Sequence, residues 1–84
     1  MTLFLLILKF KKTKTMENHT YKKIEITGTS DKSMEAAIEN AVAKASKTVD
    51  DMSWFEVTET RGSIENGNVV QWQVGLKIGF TLKG

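Results

Sequence analysis

Two side chains in this sequence have the chemistry to grip a flat heterocycle, and two glycines close to them in sequence could make room for it. Trp54 offers a π-face on which a planar ring can stack, a contact worth about 1–3 kcal/mol for nucleic-acid bases. Gln73 carries an amide donor and an amide acceptor, suited to the pyrimidine-like edge of such a ring. Gly75 and Gly79 interrupt a run rich in branched and aromatic residues. Glycine weakens a strand, so its usual reason there is the close approach of a ligand or another backbone. Taken singly, Trp54 suits equally well a core position under a helix end, and Gln73 an ordinary exposed strand site.

The other candidates for chemistry are weaker. There is no Cys and a single His, so neither a thiolate cage nor a His cluster for a metal can form. His19 lies in the tail before the first strand and reads as a solvated residue. Asp50-Asp51 reads as a solubilising loop pair rather than a catalytic carboxylate dyad. Gly28-Thr29-Ser30 lacks the spaced glycines of a phosphate-binding loop. No catalytic residue and no metal ligand set is expected, which points to a binding protein and not an enzyme.

The elements that position Trp54 and Gln73 follow from patterning. Tyr21–Thr27 alternates charged and branched residues, with Ile24 and Ile26 on one face of a strand that Gly28-Thr29-Ser30 ends. Ser33 is an N-cap for the Ala-rich run Met34–Val49, whose Met34, Ala37, Ile38, Ala41, Ala45 and Val49 form one helical stripe. Glu35, Glu39, Lys44 and Lys47 face outward. Two alternating runs follow, Trp54–Glu65 and Asn68–Lys83, joined by Asn66-Gly67, a strong signal for a type I′ hairpin turn.

Pairing Glu65 with Asn68 sets the register. It puts Phe55, Val57, Val70, Trp72, Val74, Leu76, Ile78, Phe80 and Leu82 on the face that covers the helix. Trp54, Glu56, Thr58, Thr60, Gln71, Gln73, Gly75, Lys77 and Gly79 fall on the open face. In this register Trp54 lies opposite Gly79, Thr58 opposite Gly75, Thr60 opposite Gln73, and Arg61 opposite Trp72 in a cation–π contact. A bulge at Gly62 would exchange the faces of the first hairpin strand. Gln73 is then six positions from Trp54's partner, roughly 20 Å along the sheet. One chain cannot close both residues on one ring, so a shared ligand needs a pocket built from two chains.

Size argues the same way. A chain of 84 residues buries only about 60% of its unfolded surface, and a three-stranded sheet with one helix leaves its second face and its edges open. The fold class expected is α+β, in β-α-β-β order, with self-association supplying the missing contacts.

The basic balance of the chain, 12 Lys+Arg against 10 Asp+Glu, is local. Residues 1–15 hold Lys9, Lys11, Lys12 and Lys14 and no acid, which leaves eight basic against ten acidic groups in residues 16–84. The composition therefore gives no ground for a nucleic-acid partner. The apolar stretch Leu3–Leu8 is too short to span a bilayer, and its lysines follow it where a secretory signal would have them precede. Residues 1–15 are expected to be an upstream leader outside the folded domain 16–84, with no stable membrane insertion and a cytoplasmic location. The competing expectation is a structural or interaction module that meets an anionic surface through that leader, or a module that binds a coenzyme or metal.

The residues resemble the dodecin family. The matching stretches are Tyr21–Ser30 (YKKIEITGTS), Ala36-Ala37-Ile38 with Ala41 and Ala45-Ser46-Lys47-Thr48, Trp54–Val57 (WFEV), Arg61-Gly62, and Gln73–Phe80 (QVGLKIGF). The resemblance covers nearly all of residues 20–83. It implies a three-stranded antiparallel sheet wrapping one helix, and twelve copies assembled as a hollow homododecamer. It also implies a flavin cofactor, FMN or riboflavin with FAD admitted, held between subunits for storage and buffering. The tryptophan matching Trp54 would stack the isoalloxazine, the glutamine matching Gln73 would hydrogen-bond it, and the arginine matching Arg61 would lie near it. The resemblance further implies that a flavin stacked on Trp54 would lose excited-state energy quickly, limiting photochemical damage. Trp72 stands where the family usually has Tyr, and is expected to be structural on the helix side.

Overall fold

The computed structural model describes residues 18–83. The expected leader, residues 1–15, lies outside the described residues. The order is β1 (Tyr21–Ser30), α1 (Met34–Ala45), β2 (Met52–Glu65) and β3 (Asn68–Thr81), with the sheet arranged β1-β3-β2 and both pairings antiparallel. The α+β class and the β-α-β-β order agree with the patterning. Among the described residues no helix is long and apolar enough to cross a membrane.

Ser33 caps α1 as its side chain predicts, Oγ accepting from the Ala36 N–H at 3.0 Å. The helix is shorter than the sequence suggests. It ends at Ala45, where Ser46 turns its hydroxyl back onto the Ala43 carbonyl at 2.6 Å, and Lys47 and Thr48 donate to carbonyls only three residues back. Ser and Thr compete in this way with regular helical bonding. Asp51 then takes a left-handed conformation, φ 59°, which Asp tolerates better than most residues. Its carbonyl accepts from the Thr81 N–H at 3.2 Å and its carboxylate meets Lys83 Nζ at 3.4 Å, so the acidic pair belongs to a chain reversal.

Gly28 does not end the first strand. It is buried within β1, and a Cβ there would run into the Ala37 carbonyl and come within 2.7 Å of the Ala41 Cβ. The small stripe of α1 therefore rests directly on the β1 backbone. The core is Ala37, Ala41, Val74, Leu76 and Ile78, ringed by the half-buried Ile24, Ile26, Ile38, Val42, Ala45 and Met52.

The hairpin turn is as expected, with Asn66 at φ 51° and Gly67 at φ 78°, the positive pair of a type I′ turn. Gly67→Ala is expected to cost about 1 kcal/mol, the usual penalty of a Cβ in the left-handed region. A urea midpoint that does not move would refute this.

The helix-covered face is narrower than the alternation implies. Helix α1 packs on β1 and β3, so Val74, Leu76 and Ile78 are buried. Phe55 and Val57 pair with Ile78 and Leu76 but stay 49% and 42% exposed. Val70 and Leu82, also expected under the helix, are exposed as well. One helix of this length covers the central strand and one neighbour, and β2 extends past it.

Candidate functional site

The candidate site residues lie on the face of the sheet away from α1. Trp54 pairs with Gly79 as the hairpin register predicts. It is 40% exposed and is not a core residue under the helix. Its indole lies across the central strand. A Cβ at position 79 would fall inside the van der Waals surface of the ring, against Cε2, Cζ2 and Cη2. Gly79 thus makes room for Trp54 itself. Beyond Gly79 the indole meets Tyr21 of β1 edge to face, with ring centroids 4.8 Å apart and planes at 66°. The imidazole of His19 stands 6.2 Å from the Tyr21 ring on an exposed stretch.

Trp54 reaches this face through an irregularity. Met52 pairs with Phe80 and Trp54 with Gly79, so Ser53 is an extra residue on β2. That one residue sends Met52 to the core and Trp54 to the open face.

The middle of the hairpin corrects the expected register. Val57 pairs with Leu76, but Glu59, not Thr58, is the residue paired with Gly75. Thr58 and Glu59 crowd together over it, their Oγ1 and Cγ lying 3.1 and 2.9 Å from where a Cβ of residue 75 would be. A missing side chain on β3 is what lets two residues of β2 share one partner. From there Thr60 faces Val74, Arg61 faces Gln73 and Gly62 faces Trp72, until Val70 bulges from β3 and restores the original register at Ile64–Val69. The bulges sit at Thr58 and Val70, and not at Gly62.

This one-residue displacement moves Arg61 away from Trp72 and onto the open face. Arg61 Nε donates to Gln73 Oε1 at 2.7 Å, and Nη1 donates to Glu59 Oε2 at 3.0 Å. Gln73 Nε2 in turn donates to Gln71 Oε1 at 2.9 Å. The expected cation–π contact with Trp72 is replaced by a chain from Glu59 through Arg61 and Gln73 to Gln71. Trp72, half-buried, shares the strand parity of Val74 and Leu76, on the helix side as expected.

Gly75 and Gly79 are both buried in the sheet, each filled over by side chains of its own chain. The open face therefore has two ends. Trp54, Gly79 and Tyr21 make an aromatic end, and Arg61, Gln73, Glu59 and Gln71 with Gly75 make an amide end. The ends are six positions apart on β3, roughly 20 Å, so one chain does not bring Trp54 and Gln73 together. Between them Lys23 Nζ and Glu56 Oε1 form an exposed pair at 3.8 Å, worth little in water. Patterning put Gln71 on this face without its bond to Gln73, and missed Tyr21 and Glu59. Tyr21 has the right strand parity, but the β1–β3 register that places it next to Trp54 is set by long-range pairing.

Comparison with known proteins gives the same family throughout. The family model described as Dodecin matches residues 20–83. The dodecin of Thermus thermophilus is 49% identical over 63 residues, which is 75% of this chain and 91% of that protein. The solved dodecin from Streptomyces coelicolor is 52% identical, with a TM-score of 0.78 over 82% of this chain and 99% of its own. A calcium-chelating dodecin from Mycobacterium tuberculosis, described as having a novel calcium-binding site, is 32% identical with a TM-score of 0.67, over 76% and 91% of the two chains.

Proposed function

This chain belongs to the dodecin family, and from that premise we propose that it is a cytoplasmic flavin-sequestering protein, storing or buffering riboflavin or FMN in pockets shared between the subunits of a hollow homododecamer. Flavin binding is what membership of the family implies. The observation that carries the reading here is the division of one sheet face into an aromatic end and an amide end too far apart to act together. A two-fold pairing of copies sets the same surface against itself, so the aromatic end of one copy can meet the amide end of the next, twice over.

The residue types fit an isoalloxazine. Trp54 presents an exposed π-face for its plane. Gln73, anchored by Arg61 and Gln71, retains one amide hydrogen and one carbonyl lone pair for its polar edge. Gly75 and Gly79 contribute by clearing space for the Thr58–Glu59 bulge and the indole, so their part in the pocket is indirect. Nothing in this arrangement calls for a reaction, and a binding role suffices. Phe55 and Val57, apolar and exposed beside the helix, supply surface for the contacts between copies that such a shell needs.

Among the described residues of one chain no three His, Asp or Glu side chains converge on one point, so a calcium site would, like the flavin pocket, be shared between copies or use carbonyl oxygens. The test is fluorescence titration of riboflavin and of FMN on protein separated by size. Flavin emission should fall steeply with the assembled fraction and little with any monomer. Undiminished emission at saturating protein would overturn the proposal.

A further inference from the structure

Trp54 is held from two sides before any ligand arrives. It projects from β2, lies back over Gly79 of β3, and ends against Tyr21 of β1, so its orientation depends on all three strands. The Tyr21 contact, 4.8 Å at 66°, has the edge-to-face geometry that aromatic pairs favour. Tyr21 is 44% exposed and Trp54 40%, and neither is among the buried core residues. A stacking residue free to change rotamer must be ordered when its ligand binds, and that ordering weakens binding. One held flat beforehand avoids the loss.

We propose that Tyr21 is the positioning residue of the aromatic end, holding the Trp54 indole flat over Gly79 so that its outer face is ready for a planar ring. Tyr21 acts through Trp54 and need not touch the ligand. The inference rests on the reading of Trp54 as a flavin platform, but half of it is testable without flavin.

The experiment uses the full chain carrying Trp72→Phe, so that Trp54 is the remaining tryptophan, and adds Tyr21→Leu or Tyr21→Phe. Near-ultraviolet circular dichroism and the anisotropy of Trp54 emission are read on ligand-free protein, and riboflavin titration follows. Tyr21→Leu should lower both Trp54 signals and weaken riboflavin binding about five-fold, in line with the value of an aromatic pair. Tyr21→Phe keeps the ring and should stay within about two-fold of the parent. Tyr21→Met, which has similar bulk and no ring, replaces the Leu variant if that chain does not fold. Unchanged signals and affinity without the ring, or a Phe variant as impaired as the Leu variant, would overturn the inference. If the parent itself fails to bind riboflavin, the flavin reading falls and the spectroscopic comparison alone decides the role of Tyr21.

Discussion

Trp54→Ala is expected to remove most of the riboflavin binding, weakening it by roughly 5- to 150-fold, the equivalent of the 1–3 kcal/mol that stacking on one aromatic side chain is worth. Stability should fall only moderately, through the lost cover over Gly79 and the lost contact with Tyr21, while the helix-covered core stays intact. The indole lies on the outer side of the sheet and is not part of the cluster that α1 buries. Trp54→Phe keeps a smaller π-face and should fall between the two. The measurement is the flavin quenching titration set beside a thermal melt of each variant. An alanine variant that binds riboflavin like the parent would remove Trp54 from the site and, with it, the reason for assigning a planar ligand to this face.

Gly28→Ala should have the opposite profile. The added methyl has no room, because the Ala37 carbonyl and the Ala41 Cβ already occupy its place, and neither is free to withdraw from a fully packed helix face. Overpacking of this kind costs about 1–3 kcal/mol, which for a domain of this size lowers the thermal midpoint by roughly 4–24 °C. A midpoint within a degree of the parent's would show that α1 lifts off the sheet without penalty. With both results in hand, the two substitutions would separate the face that holds the molecule together from the face proposed to bind flavin.

Most of this is legible in the sequence where a local rule decides it. The Asn66-Gly67 turn requires positive φ, and has it. That sets Glu65 against Asn68, and the same register reappears at the far end of the hairpin as Trp54 against Gly79. The stretch between is not legible. A bulge on each strand displaces residues 59–63 by one position, and the two cancel, so both ends look regular while the middle is not. Nothing in the alternation of Thr58, Thr60 and Arg61 announces this. Gly75 is the clue, since a residue with no side chain can face two partners, but a glycine there suggests space for a ligand just as readily. Tyr21 is hidden for a different reason. Its contact crosses two strand pairings, and only the hairpin pairing has a turn short enough to declare its register.

The irregularities have a consequence for polymer growth. All three lie in the pairing of β2 with β3, and the β1–β3 pairing has none. Bulged strands bend and take on extra right-handed twist, so the fourteen-residue outer edge of β2 is not the straight template that a long exposed edge otherwise offers. Flat edges add copies without limit and make fibres, whereas contacts that curve back can close on a finite number. The residues that slide Arg61 toward Gln73 thereby also make the β2 edge a poor template for ribbons, and suit it to the closed assembly proposed above.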